Sequence, residues 1–221
     1  TYGFSGTLSP VDYREEYRHE YSIAVPCDGG EPPVWPAALL RHLCRYVLNT
    51  RAELRVGDNM PCNAPITYLP FPPEHHASMP STDLDTLMVG ADPLLPSVDT
   101  PQGPIEIRRF VGLLPDELRL VQRWSGTSFF EELLTEQPEA LTDLARPSLL
   151  ASPSFTTRAE ARVAQEGSTL GLLFIQGGWR PAGNGVQVLF PGGQEAINIK
   201  QVLAARLGFE RPLTLRGPAD L

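Results

Sequence analysis

Pro61, Pro65, Pro70, Pro72, Pro73 and Pro80 all fall between residues 60 and 83. Each proline fixes its own φ and removes a backbone donor, so neither a helix nor a central strand can run through this stretch. The spacing predicts a long, semi-extended loop, and a loop of that length in a folded chain is as a rule functional or mobile. Regular structure is therefore confined to the segments on either side of it.

Before the loop, Tyr21 to Val25 is a short run rich in strand-forming residues, stopped by Pro26 and the pair Gly29-Gly30. After EPPVWP a helix is predicted, with Pro36 in its first turn, where no intrahelical N–H is required. Leu39, Leu40, Leu43, Cys44 and Val47 recur at helical spacing, whereas Arg41, His42 and Arg45 fall on the opposite face. Tyr46 lies about 20° from the Leu39 direction, at the rim of the apolar arc, where its ring can pack while its hydroxyl faces outward. The helix runs into RYVLNTRAELRVGD, which ends on Gly57-Asp58.

Beyond the loop, Ile105 and Ile107 alternate with Glu106 and Arg108, and an apolar run follows to Leu114, predicting a strand with one or both faces buried. PDELRLVQRW reads as a helix, and so does SFFEELL, where Ser128 and Glu131 have capping-box spacing. RPSLLASPSFTT reads as a domain boundary. The remainder predicts a helix over Ala159 to Gln165, strands over Leu170 to Gln176 and Val186 to Phe190 around a Gly/Pro turn at 181–185, a helix over Ala196 to Leu207, and a terminal LTLRG strand. The expected fold is α/β (α+β): a mixed sheet flanked by helices in a domain of residues 1–157, then a smaller α+β portion at 158–221.

The 221 residues are enough for one large core or two small ones. No stretch approaches the roughly 20 apolar residues of a membrane span. With 18 basic against 26 acidic residues the formal charge is −8, which opposes attraction to phosphate backbones or anionic lipid. Nucleic acid and membrane are thus not expected partners. Cys27, Cys44 and Cys62 cannot all pair and show no C-x-x-C spacing, which fits a reducing, cytoplasmic location. The sequence starts at Thr1 without methionine or a signal-like apolar run, which implies a preceding segment.

VWPAALLRHLCRYV, the VGD at Val56 to Asp58, ADPLLPSVDTPQGPIEIRRFVGLLPDEL, VQRWSG and LTDLARPSL resemble, in this order, the Suppressor of fused (SUFU) domain family, and EARVAQEGSTLGLLFIQGGW and VLAARLGFERPLTLRGP continue the likeness. The resemblance implies a non-enzymatic protein-binding module without a cofactor. Animal members restrain transcription factors of the Hedgehog pathway, and bacterial members act as immunity proteins against toxins. In the animal branch a partner peptide lies as an added strand between two domains, touched by residues matching Tyr46 and Asp58. On physical grounds a tyrosine offers flat contact area with a hydroxyl, and an aspartate after a glycine offers an acceptor. A Gly-Asp pair equally suits a plain turn closed by the aspartate's own side chain. NMPCNAP and YLPFPPEHH depart from the animal pattern and favour a bacterial-type member capturing a toxin.

Three features could suggest an enzyme, and none carries the reading. GFSGT lacks the last glycine of a nucleophile elbow, and His19, His42, His75 and His76 include no base near the C-terminus to serve Ser5. Cys62, His75 and His76, with Asp83 or Asp85, could supply the ligands of a metal-dependent hydrolase, but adjacent histidines seldom converge on one ion. The acidic pairs at 15–16 and 131–132 read as solvated helix faces.

Overall fold

The computed structural model describes residues 18–217 apart from 28, 96, 102, 176, 190 and 191. Ser5 and the acidic pair at 15–16 therefore lie outside the described residues. Two hydrophobic clusters sandwich a mixed sheet, and the strands' two-residue period decides which side chain joins which cluster. The sheet runs β1 (His19–Ile23), β5 (Gly103–Leu113), β3 (Thr86–Ala91), β2 (Asn59–Pro61), with β4 (Val98–Thr100) paired to the start of β5. β1 is parallel to β5, pairing Tyr21 with Arg108, whereas β2 on β3 and β3 on β5 are antiparallel.

On one face, Leu87, Val89 and Phe110 meet Tyr21 and the buried stripe Trp35, Leu39, Leu43 and Val47 of α1 (Trp35–Thr50). The expected stripe is present, with Leu40 and Cys44 at its half-buried margins. On the other face, Met88, Val111 and Leu113 meet α2 (Pro115–Gln122), α3 (Gly126–Glu136) and α4 (Pro153–Glu166) through Val121, Trp124, Phe129 and Phe155. β3 has no counterpart among the predicted elements. Five of its six residues are buried, so both faces are apolar and no alternation marks it.

The proline-rich stretch is a loop, with Pro61 at the end of edge strand β2 and a short 3-10 turn at Pro73–Ser78. It is anchored: Ile66 and Thr67 are fully buried, and Thr67 Oγ1 donates to Pro80 O at 2.8 Å.

Several predicted boundaries move. α3 starts at Gly126 under Ser125, whose hydroxyl accepts from Ser128 N, so Ser128 is not the cap. Glu132 is buried rather than solvated: Arg158 Nε donates to its carboxylate at 2.9 Å, and Arg162 bridges Glu131 and Glu166 at 2.9 and 2.7 Å. This lattice seats α4 against α3. α4 begins six residues before the predicted Ala159, so Thr157 and Arg158 lie within one helix whose Phe155 and Ala159 are core.

After α4 come β6 (Leu172–Phe174), β7 (Gly178–Ala182), β8 (Gly185–Leu189), α5 (Gly193–Leu207) and β9 (Thr214–Arg216). β6 and β9 form one parallel pair and β7 and β8 one hairpin, both separate from the large sheet. β7 takes in the Pro181-Ala182 positions expected in a turn, which is confined to Gly183-Asn184. Among the described residues no helix is long and apolar enough to cross a membrane.

Candidate partner-binding cleft

α1 ends at Arg51, in the left-handed region at φ 60°. The chain then buries Leu54, whose carbonyl accepts from Arg108 Nη1 at 2.7 Å, and turns at residues 55–58. Asp58 N donates to Arg55 O at 3.0 Å and Asp58 Oδ2 accepts from Arg55 N at 2.7 Å, so the aspartate closes its own turn. Gly57 sits at φ +95°, and a Cβ there would stand 2.7 Å from Thr127 Oγ1. From the other side, a Cβ on Gly126 would overlap Gly57 O. Two glycines thus let the turn press onto the first turn of α3, which explains a glycine before Asp58 without reference to any ligand.

From this junction opens a cavity of about 650 Å³. Residues 57–61 line it on the sheet side and residues 169–173 from the C-terminal portion, with Leu54, Val121, Gln122 and Gly126 completing the lining. Asp58 is exposed on this wall. Tyr46 is not part of it: 39% exposed on α1, it stands on the opposite side of the sheet from α2 and α3.

The ladder bonds reveal what backbone the cavity borders. Val89 N donates to Asp58 O at 2.9 Å and Cys62 N to Asp85 O at 2.7 Å. Residues 58 and 62 therefore face β3, and by alternation Asn59 and Pro61 turn their backbone groups outward. Pro61 brings no N–H, so this edge presents one donor and two carbonyls. On β6, Thr214 N donates to Gly171 O at 2.9 Å and Ile175 N to Arg216 O at 3.0 Å, so Leu172 and Phe174 are the outward residues. Two strand edges that are unpaired among the described residues thus border one cavity. Sequence reasoning missed Asn59, Pro61 and Leu172. Pro61 carried a signal, since a proline in a strand marks an edge; Leu172 carried none.

The suggested metal ligands do not converge. Cys62 Sγ donates to Met60 O at 3.5 Å, and burial pushes its thiol up to about 12, with the Asp85 carboxylate adding to the shift. His76 stacks on Tyr68 at 4.4 Å with Nε2 3.0 Å from Phe71 O, whereas His75 is exposed. Among the described residues no group of three His, Cys, Asp or Glu side chains could hold a metal ion.

A family model for the Suppressor of fused protein (SUFU) matches residues 1–147 of the 221. The chain belongs to the Suppressor of fused family. The human Suppressor of fused homolog is 26% identical over 184 residues, covering 80% of this chain and 35% of its own, and the mouse homolog gives the same values. The chain spans about a third of the length of these curated relatives. The crystal structure of Drosophila Suppressor of Fused aligns with a TM-score of 0.56 at 24% identity, over 85% of this chain and 41% of that one. The Suppressor of fused fold, a mixed sheet with helices on both faces, is thereby shared.

Proposed function

We propose that this chain is a protein-binding module that takes an extended segment of a partner protein into the cleft and so restrains that partner. The observation that carries the reading is the pair of strand edges, at Asn59-Pro61 and at Leu172-Phe174, bordering a single cavity. An extended peptide gains backbone hydrogen bonds from an open edge and specificity from the pockets its alternate side chains enter. Leu54, Val121 and Leu172 offer apolar surface for those side chains, and Asp58 adds a carboxylate acceptor at the wall. On this reading the module has two parts, and the cleft between them is the binding site. The division falls at Gly167, after α4, rather than at residue 157. Tyr46 becomes a second contact for a partner that reaches over residues 51–56 onto α1. The chemistry is binding without turnover, in the cytoplasm and without a cofactor.

The partner class that best suits the sequence is a toxin neutralised by capture. NMPCNAP and YLPFPPEHH, which depart from the animal pattern, make up β2 and the loop that follows it. Sequestration of a transcription factor would use the same cleft.

The test begins with a partner captured from the native host and mapped to a short peptide, then measured by calorimetry. N-methylating those peptide amides that face an edge removes donors without touching side chains. Each lost donor leaves a carbonyl unsatisfied, at about 1–3 kcal/mol, or about 5- to 150-fold in affinity. Leu172→Pro, compared with Leu172→Ala, removes the matching N–H of β6. Asp58→Asn keeps an oxygen for Arg55 N and should leave stability within about 0.5 kcal/mol, while a charge-assisted contact to the partner would lose about 1.5–3 kcal/mol. Tyr46→Phe probes the α1 contact. A peptide indifferent to N-methylation at every position would refute binding by strand addition.

A further inference from the structure

The inner stripe of α1 is core, and the sixteen residues of this helix include no acidic side chain. Its outer face carries Arg41, His42, Arg45 and Tyr46, all exposed. Arg41 and Arg45 stand about one turn apart, about 6 Å along the axis, with His42 and Tyr46 in the row beside them. Val34, at the head of the helix, is 73% exposed, and about 3.6 residues per turn put it on the same side as the two arginines.

Among the described residues, neither Arg41 nor Arg45 makes an ion pair or a side-chain hydrogen bond. By contrast, Arg109, Arg123, Arg146, Arg158 and Arg162 each meet a carboxylate, and Arg206 and Arg211 donate to backbone carbonyls. Two like charges one turn apart on a helix repel, and no carboxylate on α1 relieves them, so the pair subtracts from the stability of the helix. The whole chain has 26 acidic against 18 basic residues. On such a protein this cationic face is charge that the fold itself does not use.

We propose that the outer face of α1 is a docking surface for an acidic segment of a partner protein, with Arg41 and Arg45 as its carboxylate contacts. A guanidinium presents a planar fork that grips a carboxylate through two N–H donors. In an extended segment, alternate side chains stand about 6.8 Å apart on one side, close to the arginine spacing, so acidic residues at every second position meet both. From Val34 to Arg45 the face is about 17 Å long, the length of about five extended residues. Val34 receives an apolar side chain at one end, and the Tyr46 ring gives flat surface beside Arg45. Charge complementarity favours a short segment over a longer polyanion. The attraction of the stripe is screened beyond about 8 Å at physiological salt, whereas duplex DNA or an anionic bilayer would also meet the acidic remainder of the surface. The face lies across the sheet from α2 and α3 and hence from the cleft, so the proposal does not rest on what the cleft binds.

The test is an NMR titration of the full chain with a short capped peptide in which Glu alternates with Ser, and with its Gln-for-Glu counterpart. The Glu peptide should bind in preference, with amide shifts along residues 34–49. Arg41→Gln with Arg45→Gln should weaken it by about 2- to 30-fold, the range for two exposed ion pairs, and Arg41→Glu with Arg45→Glu should reverse the preference. These variants should melt like wild type, because both side chains are exposed. If a double variant fails to fold, Arg45→Gln alone gives the same reading at reduced size. At an ionic strength of about 1 M, where the screening length falls to about 3 Å, the preference should vanish. Asp58→Asn should leave it unchanged, which separates this surface from the cleft. No preference for Glu over Gln, dependence on Asp58, or shifts centred on residues 57–61 and 169–173 would each overturn the proposal. So would tighter binding of mixed-sequence duplex DNA or phosphatidylserine vesicles than of the Glu peptide.

Discussion

Glu117 offers the sharpest test of how the second core is held. Its carboxylate has no exposed surface and accepts four donors: Arg146 Nη1 at 2.6 Å and Nη2 at 2.5 Å, Leu149 N at 2.8 Å and Leu114 N at 2.9 Å. One side chain therefore caps α2, fixes residues 146–149 beneath it and neutralises a buried cation. Glu117→Ala leaves Arg146 with Gly112 O and Pro147 O alone. Breaking one side of a buried ion pair costs about 3–5 kcal/mol because the remaining charge is uncompensated. Two orphaned N–H groups push the cost towards the upper end. Against a typical total of about 5–15 kcal/mol, that is enough to unfold a marginal domain. Urea denaturation of wild type, Glu117→Ala, Arg146→Met and the double variant closes a cycle. The double variant should cost less than the sum of the single ones, because no unpaired charge remains in it. Additive costs, or a Glu117→Ala cost below about 1 kcal/mol, would refute the reasoning.

Leu43→Ala should cost about 2–5 kcal/mol, since Leu43 is fully buried in the α1 stripe, whereas exposed Arg45→Ala should stay within about 0.5 kcal/mol; thermal denaturation compares them. Gly126→Ala would overlap Gly57 O and should cost about 1–3 kcal/mol, although alanine is the better helix former; a neutral result would mean that the turn does not press on α3 as described. His19, held down to about 4 from 6.5 by burial and then by the Arg108 charge, binds its proton in the unfolded chain before the folded one. Its contribution is fully present above about pH 6.5 and is lost as the pH falls to about 4, by at most about 3 kcal/mol. His19→Gln should flatten that part of a stability–pH curve.

The sequence by itself determined those elements whose faces differ. α1 was legible because apolar residues recur at helical spacing on one side only, β5 because Ile105 and Ile107 alternate with charges, and the loop at 60–83 because proline forbids the alternatives. β3 was not legible, because a strand buried on both faces has no period to read. Nor was the burial of Glu132: a lone acidic pair looks solvated until Arg158 and Arg162 of another helix arrive above it. The candidate site divides in the same way. Asp58 came from the family resemblance, its local context suiting a plain turn equally well, and it both lines the cleft and closes its own turn. Tyr46 followed from the same helix, but the sheet puts it on the other side. The facing edges at Asn59 and Leu172 exist only through tertiary structure, because an open edge is defined by what fails to pair with it. Ladder parity, the glycine contact between residues 57 and 126 and the hydrogen bonds of Ser168 to α2 and α5 are long-range facts. Local periodicity fixes which face of an element is apolar; only packing decides which faces meet and what stays open between them.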